Sequence, residues 1–206
     1  MHQKWLQRDL DASGVIVIFG GWAIGSGVFE HLKTSADVLF ISDYRDLDFE
    51  LPDLDHYETR TLVAWSFGVA SYCYWQQRRR DPFTRKVAIN GSMAPIDQLC
   101  GIAPRTLQKT IDTLSNESFQ VFLARSFGEE QPLHSIDISA RRAELVAVQQ
   151  RDYSQTIQVW DKVWISRDDQ IFSFKNMQRA WGDQSDVLDA PHVPFDMWTT
   201  WKEILE

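Results

Sequence analysis

With 206 residues, 44% of them hydrophobic and 24% charged, the chain can bury one sizeable core and is too short for two full domains. A formal net charge of -8 excludes bulk nucleic-acid binding, which needs a basic face. Two cysteines, Cys73 and Cys100, make no disulfide framework and read as free thiols of a reducing compartment.

In chain order, residues 1–9 hold no apolar stretch of signal-peptide length, and residues 3–8 could form a short first strand. Asp11-Ala12-Ser13-Gly14 is a turn cluster. Residues 15–19, Val-Ile-Val-Ile-Phe, suit a strand buried on both faces, as in a parallel sheet, and they end at Gly20-Gly21. This longest aliphatic run is far short of a membrane span, so a soluble cytoplasmic protein is expected. Residues 37–42 and 61–65 are two more buried strands, and the latter runs straight into Ser66. Residues 67–77 read as a helix, and residues 86–90 as a fourth buried strand ending at Gly91. Residues 159–165 predict a fifth, 185–189 a short last strand, and 196–205 a closing helix.

Strands alternating with helices imply an α/β fold around a parallel sheet, in one domain over 1–206. Residues 95–155 break the rhythm. They hold no strong strand, but 104–114, 118–126 and 139–149 look helical. A helical insertion there suits a lid over the carboxyl edge of the sheet, where the sites of open α/β sheets lie.

Ala64-Trp65-Ser66-Phe67-Gly68 follows a strand and opens a helix. This is close to the Gly-x-Ser-x-Gly elbow of serine hydrolases, in which small neighbours let strand and helix approach around a strained nucleophile. Ala64 replaces the first glycine. The plainer reading is a serine that caps the helix. An acyl-transfer site also needs amides aimed at the developing oxyanion. One is that of Phe67, and the other that of Trp22 in Gly20-Gly21-Trp22, whose indole could wall an acyl pocket. Gly20 and Gly25 have the spacing of the outer glycines of a dinucleotide loop, with Asp43 as its acid. Trp22 stands where that loop needs a glycine.

In this fold the order is serine, acid, histidine. Only His134 and His192 follow Ser66. His134 lies in the presumed lid, whereas His192 sits between Pro191 and Pro194 in a stiff loop, and it is the expected base. Asp169, after the fifth strand, is the preferred acid, with Asp168 the alternative and Asp186 and Asp189 more remote. The expected chemistry is ester hydrolysis through an acyl-enzyme on Ser66, with no metal or cofactor.

Several segments together resemble the BioG-type pimeloyl-[acyl-carrier-protein] methyl ester esterases. They are Phe19-Gly20-Gly21-Trp22, Ser42-Asp43-Tyr44, Ala64-Trp65-Ser66-Phe67-Gly68-Val69, Ile89-Asn90-Gly91-Ser92, Gly101-Ile102-Ala103-Pro104 and Asp189-Ala190-Pro191-His192-Val193-Pro194-Phe195. The resemblance implies an α/β-hydrolase that cleaves the methyl ester of a pimeloyl chain on acyl carrier protein. It also implies that Trp22, Trp65 and Phe67 could line an apolar tunnel. Because the carrier is acidic, docking then needs a local basic face. The lid offers Arg105, Lys109, Arg125, Arg141 and Arg142, while Arg78-Arg79-Arg80 with Arg85 and Lys86 form a second cluster far from the active edge. A broad carboxylesterase or thioesterase, or a non-catalytic α/β binding protein, are the other readings.

Overall fold

A computed structural model describes residues 1–9, 11–77, 79–155 and 158–206. Arg78 of the second arginine cluster lies outside the described residues. Seven strands form one sheet among them: β1 (His2–Gln7), β2 (Gly14–Phe19), β3 (Asp37–Ser42), β4 (Thr59–Trp65), β5 (Arg85–Ile89), β6 (Lys162–Ser166) and β7 (Ser185–Leu188). Their spatial order is β1-β3-β2-β4-β5-β6-β7. β1 pairs antiparallel at one edge, and every other pair is parallel.

The aliphatic runs explain the sheet. All six residues of β2 are buried. Val15, Val17 and Phe19 join Leu39, Ile41, Leu62 and Ala64 in one core, while Ile16 and Ile18 join Val38, Phe40, Val63 and Trp65 in another. The two sets alternate because strand side chains do, so the sheet is sandwiched between two apolar layers.

Helices α1 (Phe67–Gln76), α2 (Pro104–Asp112), α3 (Asn116–Phe127), α4 (Ile138–Gln150) and α5 (Phe174–Trp181) add residues to the first layer. The second layer is closed by short 3₁₀ turns at Gly27–Phe29 and Phe195–Met197 and by α6 (Trp201–Leu205). Among the described residues, three helices therefore lie between β5 and β6, where the insertion is expected. α3 and α4 begin earlier than their apolar patterns suggest. Ser115 accepts the Ser118 amide in a capping box, and Asp137 accepts the Ala140 amide, so polar caps set both starts.

Three expectations need correction. The fifth strand starts at Lys162 and not at 159, and Val159 is exposed. The closing helix of 196–205 is broken, because Trp198 and Thr200 are extended and Thr200 bridges to Lys33. α5 is absent from the sequence reading, although Met177 and Trp181 bury its inner face at i, i+4 spacing.

The connection after β2 runs to β3 on one side, and that after β4 runs to β5 on the other. The two strands are direct neighbours, Phe19 opposite Ala64. A crevice opens where connections diverge in this way, outside the carboxyl ends of the strands. It brings Gly20-Gly21-Trp22 beside Ser66.

Candidate active site

Ser66 is the residue between β4 and α1, with φ 60° and ψ −129°. A left-handed φ at a non-glycine residue is strained by about 1–3 kcal/mol and persists only where its surroundings impose it. Here they do. The Ser66 amide donates to the Ile89 carbonyl at 2.9 Å. A Cβ on Gly68 would lie 2.0 Å from the Phe19 carbonyl oxygen, and one on Gly91 would lie 2.2 Å from that of Ser66. Only glycine lets the strand ends and the helix approach so closely. The Ser66 side chain makes no capping hydrogen bond to α1, so the simple helix-cap reading is not what the geometry displays.

His192 Nε2 lies 3.0 Å from Ser66 Oγ, and His192 Nδ1 lies 2.7 Å from Asp169 Oδ2. A carboxylate only accepts, so Nδ1–H donates to it and the Nε2 lone pair faces the serine hydroxyl. The other oxygen of Asp169 accepts the amides of Ile171 at 2.7 Å and Phe172 at 2.9 Å. All three side chains are buried. Phe172 stacks on the imidazole with the rings 11° apart. Such an arrangement lets the imidazole take the serine proton while the carboxylate holds its tautomer and stabilises the cation. The alternatives lie elsewhere. Asp168 is exposed, Asp186 pairs with Lys162, Asp189 pairs with Arg167, and His134 is exposed beside Phe119.

Asn90 has a part that the sequence reading did not assign. At φ 44° it turns the chain out of β5. Its Nδ2 donates to Ser166 Oγ at 2.7 Å and to the His192 carbonyl at 3.0 Å, and its Oδ1 accepts the Ser166 amide at 2.7 Å. One amide thus ties the ends of β5 and β6 to the histidine loop. Beyond its place in the Ile89-Asn90-Gly91-Ser92 segment of the resemblance, its signal in the sequence is a polar residue at the carboxyl end of an otherwise apolar strand.

Trp22 and Phe67, with Ser66, line a cavity of about 610 Å³ whose other walls come from α2 and its flanks, α3, Leu145 of α4 and the 170–171 turn. Leu107, Leu114 and Phe122 give it an apolar interior, and Arg105, Lys109 and Arg125 are exposed on its lining. Among the described residues the lining holds no acidic one, in a chain whose net charge is -8. Phe67 opens α1, where the first-turn amides have no intrahelical acceptor. The Trp22 ring packs edge-on against Phe122 with centroids 5.0 Å apart, and its indole donates to the Arg141 carbonyl at 3.1 Å.

Three expected binding residues are placed differently. Trp65 faces the opposite layer, because it follows Ala64 on the strand and side chains alternate. There its indole donates to the His192 carbonyl at 3.0 Å, so it supports the histidine loop and walls no tunnel. Arg141 turns inward, donating to Glu144 at 2.6 Å. Arg142 donates to the carbonyls of Ile111 and Leu114 at 3.0 and 2.9 Å, closing the end of α2. Neither of these arginines belongs to the cavity lining. Asp43, the acid of the dinucleotide alternative, is buried in an ion pair with Arg45 at 2.6 Å. Burial pushes its carboxyl up, but the Arg45 bonds outweigh this and hold it below its ordinary value.

A family model described as pimeloyl-ACP methyl esterase BioG matches residues 1–204. A malonyl-[acyl-carrier protein] O-methyltransferase of Bacteroides fragilis is 33% identical over 177 residues, covering 81% of this chain. The chain spans only 36% of that relative's length. The crystal structure of BioG from Haemophilus influenzae superposes with a TM-score of 0.88 at 26% identity, over 100% of both chains. A lipase-esterase related protein of Clostridium acetobutylicum shares the fold at 13% identity, with a TM-score of 0.62 over 93% of this chain and 92% of that one. With a sheet and flanking helices that are those of an α/β-hydrolase, and with a family match over nearly its whole length, the chain belongs to the BioG family of pimeloyl-ACP methyl esterases.

Proposed function

We propose that this protein hydrolyses the methyl ester at the end of a pimeloyl chain carried on acyl carrier protein, releasing methanol and the carrier-bound acid on the route to biotin. The observation that carries the reading is the hydrogen-bonded line Asp169–His192–Ser66 ending in an apolar cavity with cationic edges. Family membership supplies the substrate class.

In this reading His192 Nε2 accepts the Ser66 proton as Oγ attacks the ester carbonyl. The amides of Phe67 and Trp22 receive the charge on the carbonyl oxygen, each such donor contributing roughly 10²–10³-fold in rate. The tetrahedral species collapses, and methoxide leaves with the proton from His192 as methanol. A water then gives its proton to His192 and attacks the acyl-enzyme. Collapse returns the proton to Ser66 and frees the carboxylic acid. Asp169 stays ionised and keeps the imidazole oriented. The apolar wall of Trp22, Leu107 and Phe122 suits a methylene chain. Arg105, Lys109 and Arg125 suit the acidic carrier outside it. The inserted helices 95–155 then act as a lid, and the free thiols fit the reducing cytoplasm.

The test has two arms. A biotin-requiring strain that lacks its own esterase should grow when given this chain and fail to grow with Ser66→Ala. A serine-directed phosphonate should label the wild-type chain once, at Ser66, and hydrolysis by Ser66→Ala should fall by about 10⁴-fold or more. Labelling that persists in Ser66→Ala would move the nucleophile elsewhere. Labelling without growth would leave an esterase of a different substrate.

A further inference from the structure

Buried polar groups outside the serine–histidine–aspartate line converge on one acid of the inserted helices. Glu144 of α4 is 1% exposed. Its Oε1 accepts the Tyr44 amide at 2.9 Å, and its Oε2 accepts Arg141 Nη1 at 2.6 Å. Both partners grip the turn that carries Trp22. The Tyr44 hydroxyl donates to the Gly20 carbonyl at 2.7 Å, and the Arg141 carbonyl accepts the Trp22 indole at 3.1 Å. Asp43, also buried, faces the same arginine at 3.8 Å and turns the chain with φ 67°. Burial holds the Glu144 carboxyl above its ordinary value despite the neighbouring guanidinium.

Taking an ion pair out of water is costly, and an apolar pair of the same volume stabilises a fold at least as well. What this pair adds is direction: a fixed anion with two geometrically defined partners, each bonded to one end of a three-residue turn. We infer that Glu144 is a positioning residue, holding the Gly20–Trp22 turn through Tyr44 and Arg141 so that the Trp22 amide points at the oxygen on which charge develops. The inference rests on the reading of Ser66 as nucleophile and of the Trp22 amide as an oxyanion donor. It makes the inserted helices part of the catalytic geometry as well as of the substrate cavity. A donor shifted by a fraction of an ångström stabilises the transition state less while leaving ground-state binding almost unchanged.

Tyr44→Phe removes the hydroxyl that donates to the Gly20 carbonyl and, at 3.3 Å, to that of Ile41, and Glu144→Gln keeps an acceptor for the Tyr44 amide but removes the charge opposite Arg141. With free pimelate monomethyl ester, both variants should lose roughly 10–100-fold in kcat, with KM within about two-fold of wild type. The inhibition constant of an alkyl trifluoromethyl ketone, which forms an oxyanion on the serine, should rise in step with the loss in kcat/KM. A merely structural role would lower the melting temperature without this split. Tyr44→Phe decides alone if Glu144→Gln yields no folded protein. Unchanged kcat and ketone inhibition in Tyr44→Phe overturn the positioning role. Ser66→Ala, run beside them, separates the two readings: if it still hydrolyses the ester, the nucleophile assignment fails, and if it alone loses activity, only the positioning of the turn fails.

Discussion

The carboxyl rim of the sheet and the inserted helices α2–α4 build opposite kinds of surface from the same chain. At the rim, Ser66, Asp169 and His192 are at most 6% exposed, and each polar atom has its partner within the protein. On the helices, Arg105, Lys109 and Arg125 are exposed and have no ion-pair partner among the described residues. The rim is held by strand ends that backbone pairing locks in register. The helices are amphipathic segments that hold to the rest by side chains. Chemistry needs groups fixed to fractions of an ångström, whereas recognition of a mobile, charged partner needs exposed groups that can adjust. The Glu144 network is where the two regions meet.

That contrast can be broken at several points. After Ser66 itself, the largest effect is expected at Asn90, whose side chain ties together the junction of β5, β6 and the histidine loop by hydrogen bonds to Ser166, Pro191 and His192. Asn90→Ala should lower kcat by about 100-fold on any ester, through a misplaced imidazole and a left-handed φ that alanine resists. Near-normal turnover would mean that Trp65 and the flanking prolines hold His192 without it.

Next in size, Arg105→Glu, Lys109→Glu and Arg125→Glu together should lower kcat/KM on the carrier-linked ester about ten-fold more than on the free methyl ester, and most at low salt. Equal losses on both substrates, independent of ionic strength, would remove the helices from carrier recognition.

Arg142→Ala probes the helices as structure. Losing two charge-assisted bonds to the end of α2 should destabilise the fold by about 1–3 kcal/mol in urea, without flattening the salt dependence of the carrier-linked reaction. A flatter salt slope would return Arg142 to the docking face.

The smallest effect lies in the two cysteine thiols. Cys73 of α1 is buried, and its thiol is pushed up to about 12 by burial. Cys100, just before α2, is half-buried. At pH 8 a disulfide reagent should titrate one thiol in the folded protein and two in denaturant. Because the folded thiol keeps a proton that the unfolded one loses near pH 9, its stability contribution is complete below pH 9. It declines as pH rises from there toward about 12. Rapid reaction of both thiols in the native state would show that α1 opens as readily as the helical insertion.

Much of the sheet was legible beforehand because continuous β-branched runs admit few other structures, and the glycines around Ser66 mark places where backbones must touch. Residues 15–19, 37–42 and 61–65 each appear as strands at or within two residues of the expected bounds. The short α5 was not legible, since eight residues give too few turns for periodicity to stand out. The arginines show the same limit more sharply. Arg125, Arg141 and Arg142 are alike as letters in a helical stretch, yet one reaches the cavity and two are consumed inside. Nothing local tells a guanidinium whether a carboxylate or a helix end will stand opposite it.

What the sequence by itself determined is the alternation of buried strands and helices, the strained turn at Ser66, and the chain order serine, aspartate, histidine. These follow from local rules: apolar periodicity, the steric demands of glycine, and the length of the connections. Tertiary structure alone decided that Asp169 faces the imidazole while its neighbour Asp168 faces solvent, that Trp65 supports the histidine from behind, and that Glu144 reaches Tyr44 across 100 positions. Hydrogen bonds between distant residues depend on where whole elements dock, and docking is set by the sum of packing over two cores.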